Sequence, residues 1–187
     1  MNNKPKLIII SGRPGSGKTT LSKELGLLIK FPVFCRDEFK EGYVNTFGIK
    51  HSELPENTNK IVTDTFFNTI ESVLVRNISL IAEAAFQHQV WEKFIERIED
   101  KCDISIIVCN IDDNLAAERH LQRGLKDSER EYFHGDPRVT HYKKTGEMLG
   151  SAEYSPPNFS YKTISVSTED GYSPSLNSIK ETLFKKI

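Results

Sequence analysis

The sequence predicts an α/β fold, a three-layer α/β/α sandwich on a parallel five-stranded sheet with a helical lid, and three observations carry that reading. Short apolar runs occur at Lys6–Ser11, Pro32–Cys35, Ile78–Ala84, Asp103–Asn110 and Tyr161–Ser167. Between them lie segments whose apolar residues recur at helical spacing, and such alternation is the pattern of a parallel sheet covered by helices on both faces. A glycine-rich turn, Gly12–Thr19, joins the first run to the first helical segment. With 187 residues the chain suits one sizeable core, so residues 1–187 are expected to form a single domain.

The elements follow in order. Leu7-Ile8-Ile9-Ile10 reads as a strand, and Leu21, Leu25, Leu28 and Ile29 mark one face of the helix after the turn. The short second run leads into a helix containing Phe39, Val44 and Phe47. Val62, Phe66, Ile70 and Val73 repeat at helical spacing before the third run, as do Trp91, Phe94, Ile95 and Ile98 before the fourth, and these aromatics are read as core. Gln87 and His88 read as a solvated loop. From Asn114 to Gly150 charged residues dominate and strand signals are absent, which predicts a helical lid outside the sheet. Tyr154 to Asn158, around Ser155-Pro156-Pro157, is read as a turn into the last strand. A closing helix after Ser173-Pro174 places Leu176, Ile179, Leu183 and Ile187 on one face.

Composition excludes several classes of protein. Net charge is −1, so no overall positive field holds nucleic acid, and a nucleic-acid partner would be gripped only as a local end. Cys35, Cys102 and Cys109 are widely spaced beside apolar runs, which favours buried thiols over a disulfide frame or a zinc site. No apolar stretch approaches membrane-spanning length, and Leu7–Ile10 is too short for a signal-peptide core. A cytoplasmic protein is the expectation.

Gly12-Arg13-Pro14-Gly15-Ser16-Gly17-Lys18-Thr19 is a complete phosphate-binding loop, set between a strand and a helix as that motif requires. Backbone N–H groups of the loop would surround the β-phosphate of ATP, Lys18 would reach the β- and γ-phosphates, and the Thr19 hydroxyl would ligate Mg²⁺, with Thr20 continuing the cradle. The fold is then that of a P-loop NTPase. Phosphoryl transfer also needs a group to orient the attacking hydroxyl and positive charge around the transferred group. Asp37, in Arg36-Asp37-Glu38-Phe39-Lys40 after the second strand, falls at the sheet edge where ligands bind and is read as the residue that orients the acceptor. Its competing reading is a helix N-cap. Glu83 ends the third run and is read as a second metal or acceptor contact. Arg119 and Arg123, spaced i, i+4, would present their guanidinium groups together from the lid. Arg130 and Arg138 are weaker candidates, and His134-Gly135-Asp136 reads as a turn with His134 structural or solvent-exposed. A nucleotide switch or ATPase module with no acceptor of its own is the alternative. It is disfavoured because Asn110-Ile111-Asp112-Asp113 lacks the lysine of a guanine-recognition motif.

These residues resemble the small P-loop kinases of the group that includes the phage polynucleotide 5′-hydroxyl kinase, chloramphenicol phosphotransferase and the zeta toxins. The likeness rests on Gly12–Thr19, on Arg36-Asp37-Glu38-Phe39-Lys40, and on Glu118-Arg119 followed by Arg123-Gly124. It implies that Asp37 and Arg123 are catalytic with Lys18 and Arg119, that Lys40 helps fix the acceptor, and that the strand order is 2-3-1-4-5 as in adenylate kinase-like folds. Glu83 departs from the aspartate often found at the third strand. The group phosphorylates drugs, sugars, nucleosides and nucleic-acid ends, so the acceptor stays open.

Overall fold

The computed structural model describes residues 4–151 and 153–185. Ile187, assigned above to the closing helix, lies outside the described residues. The chain runs β1 (Lys6–Ser11), α1 (Lys18–Ile29), β2 (Val33–Cys35), α2 (Arg36–Phe47), a 3₁₀ turn (His51–Glu53), α3 (Thr58–Leu74), β3 (Leu80–Glu83), α4 (His88–Ile98), β4 (Asp103–Asn110), α5 (Asp113–Lys126), α6 (Arg130–His134), α7 (Arg138–Thr145), β5 (Lys162–Ser167) and α8 (Leu176–Phe184). The five strands form one sheet in the order β2-β3-β1-β4-β5, all parallel. That is the order implied by the resemblance.

β1 is central, flanked by β3 and β4, and is apolar on both faces. Leu7 and Ile9 join the side of the core built by α3 and α4, around Phe66, Phe67, Ile70, Trp91, Phe94 and Ile98. Ile8 and Ile10 face the opposite way, onto Leu21 and Leu25 of α1 and Ile179 and Leu183 of α8. The aromatics of the first side are core, as their spacing indicated; the Phe67 and Phe94 rings stack with centroids 4.3 Å apart. All three cysteines are free and buried. Among the described residues no helix is long and apolar enough to cross a membrane.

Parallel pairing aligns the carboxyl ends of the strands. Ile10 of β1 pairs with Glu83 of β3, and Glu83 pairs in turn with Cys35 of β2. The turn after β1, the start of α2 and the Glu83 side chain therefore emerge along one edge of the sheet, where ligands bind in such folds.

Two local readings change. His88 is the first residue of α4 and not part of a solvated loop. Gln87 clamps the approach to β5, donating to the Glu153 carbonyl at 3.0 Å and accepting from the Ser155 N–H at 2.6 Å. The region from 114 to 150 also divides. Ala116, Ala117 and Leu121 of α5 are buried, whereas α6 and α7 have no buried residue and lie outside the sheet.

Candidate active site

The loop between β1 and α1 is shaped by neighbours that leave no room for side chains. A Cβ at Gly15 would stand 2.1 Å from the Ala116 carbonyl oxygen of α5, and the residue has φ +86°. At Gly12 a Cβ would meet the Ser16 hydroxyl at 2.5 Å and the Cys109 carbonyl at 2.8 Å. Gly17 occupies the N-cap of α1 in the left-handed region, and no side chain caps the helix. The first N–H groups of α1 thus lack a side-chain acceptor, which is the arrangement that receives an anion. Ser16 Oγ is buried without a hydrogen-bond partner among the described residues, a second sign of a polar site built for a guest.

The far walls of the loop come from unexpected segments. Thr168, just past β5, donates its hydroxyl to the Ser16 carbonyl at 2.8 Å. Arg119 donates to the carbonyls of Thr168 at 2.8 Å and Glu169 at 2.7 Å, so its guanidinium bridges α5 to the loop after β5. Beneath the loop, Ser11 Oγ donates to the Ala84 carbonyl at 2.9 Å. Having spent its one proton, it must accept from the Tyr154 hydroxyl at 2.7 Å and the Trp91 indole N–H at 3.3 Å.

Lys18 and Glu83 meet at the sheet edge. Both are buried; Lys18 Nζ lies 3.8 Å from Glu83 Oε1, and the Thr19 hydroxyl donates to Glu83 Oε2 at 3.0 Å. Burial pushes the Glu83 carboxyl above its ordinary pKa, and the Lys18 charge only partly offsets this. Thr19 and Glu83 form an oxygen donor pair of the kind a hard divalent cation takes when phosphates and water complete its shell. No cluster of three or more metal-binding side chains occurs among the described residues.

Asp37 is the second residue of α2, whose N-cap is Cys35 with no side-chain cap bond, so Asp37 does not serve as the N-cap. Its carboxylate is exposed to the cleft and 3.8 Å from Arg36. Burial pushes its pKa up, but the charges of His134, Lys18, Arg36 and Arg130 outweigh that and hold it below the usual aspartate value.

Two cavities meet here. One, of about 120 Å³, lies between Gly15, Gly17, Lys18, Thr19 and Thr20 and the two arginines Arg119 and Arg123. The other, of about 320 Å³, is lined by Asp37, Lys40 and Pro14 from the sheet side and by His120, Arg123, Arg130, His134, Asp136 and Arg138 from α5 to α7, with Lys18 at its floor. Lys18 and Arg123 line both. Arg123 is the more exposed of the two, and burial together with Arg130 lowers its pKa from the ordinary arginine value.

The residues singled out from the sequence therefore sit along these two cavities. Gly12, Arg13 and Ser16 support the loop from behind, Arg13 through an ion pair with Asp113. Glu83 lies beneath, in contact with Lys18 and Thr19. His134 is not solvent-exposed; it lines the second cavity and contacts Glu41 of α2 at 3.0 Å. Sequence reasoning missed Thr168 and Tyr154. Thr168 carried a usable signal, a hydroxyl directly after a strand at the ligand-binding edge; Tyr154, in an irregular segment, carried none.

Residues 7–136 match the family model AAA_33, described as an AAA domain, and the chain belongs to that family. Solved structures share the fold over nearly the whole chain. A protein labelled a candidate kinase from Chloroflexus aurantiacus is 22% identical with a TM-score of 0.78, covering 97% of each chain. The APS kinase of Mycobacterium tuberculosis, solved with AMPPNP and APS, is 14% identical with a TM-score of 0.59 over 98% of this chain and 99% of its own. A gluconokinase from Sinorhizobium meliloti is 13% identical with a TM-score of 0.57 over 97% and 93%. No curated protein matches the sequence. The fold is that of the P-loop kinases.

Proposed function

We propose that the protein is an ATP-dependent kinase that transfers the γ-phosphoryl group to a hydroxyl of a small molecule, a nucleoside or a locally held nucleic-acid 5′ end. The observation that carries this is the shared wall: Lys18 and Arg123 line both the phosphate-loop cavity and the larger cavity that contains Asp37. A nucleotide in the first would present its terminal phosphate at that wall, and an acceptor in the second would approach it from the opposite side.

In this reading the loop amides and Lys18 hold the phosphates, Arg119 walls the nucleotide side, and Arg123 with Lys18 offsets the charge of the transferred group. Asp37 accepts a hydrogen bond from the acceptor hydroxyl and takes its proton as the new O–P bond forms and the bond to the β-phosphate oxygen breaks. Its depressed pKa keeps it ionised and favours orientation over strong basicity. Mg²⁺, held through Thr19 and Glu83 with phosphate and water, would neutralise phosphate charge. α6 and α7, which carry no buried residue, act as the lid that excludes water.

The test is Asp37→Asn. Transfer should fall by about 100-fold or more while ATP affinity changes little, measured by labelled phosphoryl transfer and nucleotide titration on the same preparation. Full transfer by that variant would remove Asp37 from the mechanism.

A further inference from the structure

The end of the last strand is pressed against the phosphate loop. Thr168, directly after β5, is only 5% exposed, and all three of its polar groups are bonded. Its N–H donates to the carbonyl of Asn110, the last residue of β4, at 3.1 Å, and its own carbonyl accepts from Arg119 at 2.8 Å. These two bonds fix the residue between β4 and α5. Its hydroxyl has one proton to donate. The Ser16 carbonyl at 2.8 Å is a much better acceptor than the Asn110 carbonyl at 3.4 Å, so the proton goes to Ser16.

A trans peptide is planar, so the carbonyl of one residue and the N–H of the next point in opposite directions. With the Ser16 carbonyl drawn to Thr168, the Gly17 N–H is turned to the side away from Thr168, and it donates to no carbonyl among the described residues. Gly17 lines the phosphate-loop cavity and Thr168 does not. Glycine is conformationally permissive, so the peptide beside Gly17, at φ +75°, turns readily unless something holds it. Gly15 is braced by the Ala116 carbonyl of α5; the brace at Gly17 is Thr168, whose Cβ stands 3.6 Å from where a Cβ on that glycine would lie.

Resting on the reading of this loop as the seat of the ATP phosphates, we infer that Thr168 is a positioning residue: its hydroxyl fixes the peptide between Ser16 and Gly17 so that the Gly17 N–H is preset to donate to the β-phosphate. A preset donor gains more from an anion than one that must first be turned toward it. Capture of the diphosphate group thus depends on a hydroxyl 152 residues further along the chain. Thr168 serves the nucleotide side through separate atoms. Its side chain holds the loop, and its main chain holds Arg119, so a change confined to the side chain spares the arginine.

The experiment uses the full chain with Mg²⁺, and titrates in ADP and inorganic pyrophosphate separately by calorimetry. Thr168→Val removes the hydroxyl, keeps the branched shape and spares both main-chain bonds. It should weaken both ligands by the same factor, about 10-fold, and Thr168→Ser should restore most of the loss. Equal affinity in the wild type and Thr168→Val overturns the inference, even if that variant melts at a lower temperature, because the hydroxyl would then serve the fold alone. A loss confined to ADP overturns it as well, since the effect would lie on the nucleoside side. A second measurement needs no variant: in the wild type the Gly17 amide proton resonance should move downfield when pyrophosphate is added, and a resonance that stays in place overturns the inference. The expected loss in Thr168→Val, together with no transfer from ATP to any alcohol by the wild type, would leave the role of Thr168 standing and the kinase reading rejected. Transfer by the wild type with undiminished pyrophosphate binding by Thr168→Val would do the reverse.

Discussion

Lys40 shows how burial changes the chemistry of a basic side chain. Desolvation, aided by Arg36, lowers its pKa to about 8, which leaves the ammonium charged at neutral pH but sensitive to mild alkali. Anion affinity in the larger cavity should therefore be full well below pH 8 and decline as pH rises through that value. Sulfate, whose charge is constant over this range, is the suitable probe for titrations from pH 7 to pH 9.5. A flat profile would show that Lys40 is not the cation that binds. The residue was legible in the sequence only by resemblance. Its neighbour Arg130 was legible merely as a weak candidate, because no local spacing relates residue 40 to residue 130; the fold alone brings them to one cavity. Lys18, Thr19 and Asp37 could be read directly, since each sits within a few residues of a strand end.

At the scale of elements, strands and core were readable because burial imposes period on the sequence. β1 and β4 have the predicted bounds, whereas β2, β3 and β5 are shorter than their apolar runs, with Pro32, Ile78, Ser79, Ala84 and Tyr161 outside the strands. The start of α8 follows a Ser175 cap whose hydroxyl accepts from the Ser178 N–H at 3.3 Å, one residue past the proline used as the signal. The docking of α6 on α2 was not readable, because it rests on single polar contacts. Lys40 donates to the His134 carbonyl, and His134 Nε2 contacts Glu41 at 3.0 Å. Burial, with Arg130 and Lys40 against it, lowers the His134 pKa to about 4. The folded state thus keeps the imidazole neutral where the unfolded chain, near 6.5, already binds a proton, so this contribution is complete above pH 6.5 and is lost as pH falls toward 4. The loss should reach about 3 kcal/mol, measured by denaturant unfolding at stepped pH, and His134→Asn should flatten the profile over that window. Equal slopes for the two proteins would refute the assignment.

Across the whole molecule, a net charge of −1 conceals strong local separation. The cations collect where the carboxyl ends of the strands meet α5 to α7, while the two faces of the sheet are sealed by hydrophobic layers. Overall composition therefore said nothing about the charge gathered in the cleft. The two cavities joined at Lys18 and Arg123 are the feature on which the account rests, since they separate a phosphoryl transferase from an ATPase that has no acceptor. The most direct test follows the label of γ-labelled ATP, with Mg²⁺, through a panel of neutral and anionic alcohols, nucleosides and 5′-hydroxyl oligonucleotides. The account predicts that at least one hydroxyl compound acquires the label faster than it appears as inorganic phosphate. Label released only as inorganic phosphate, at a rate that no alcohol changes, would contradict it.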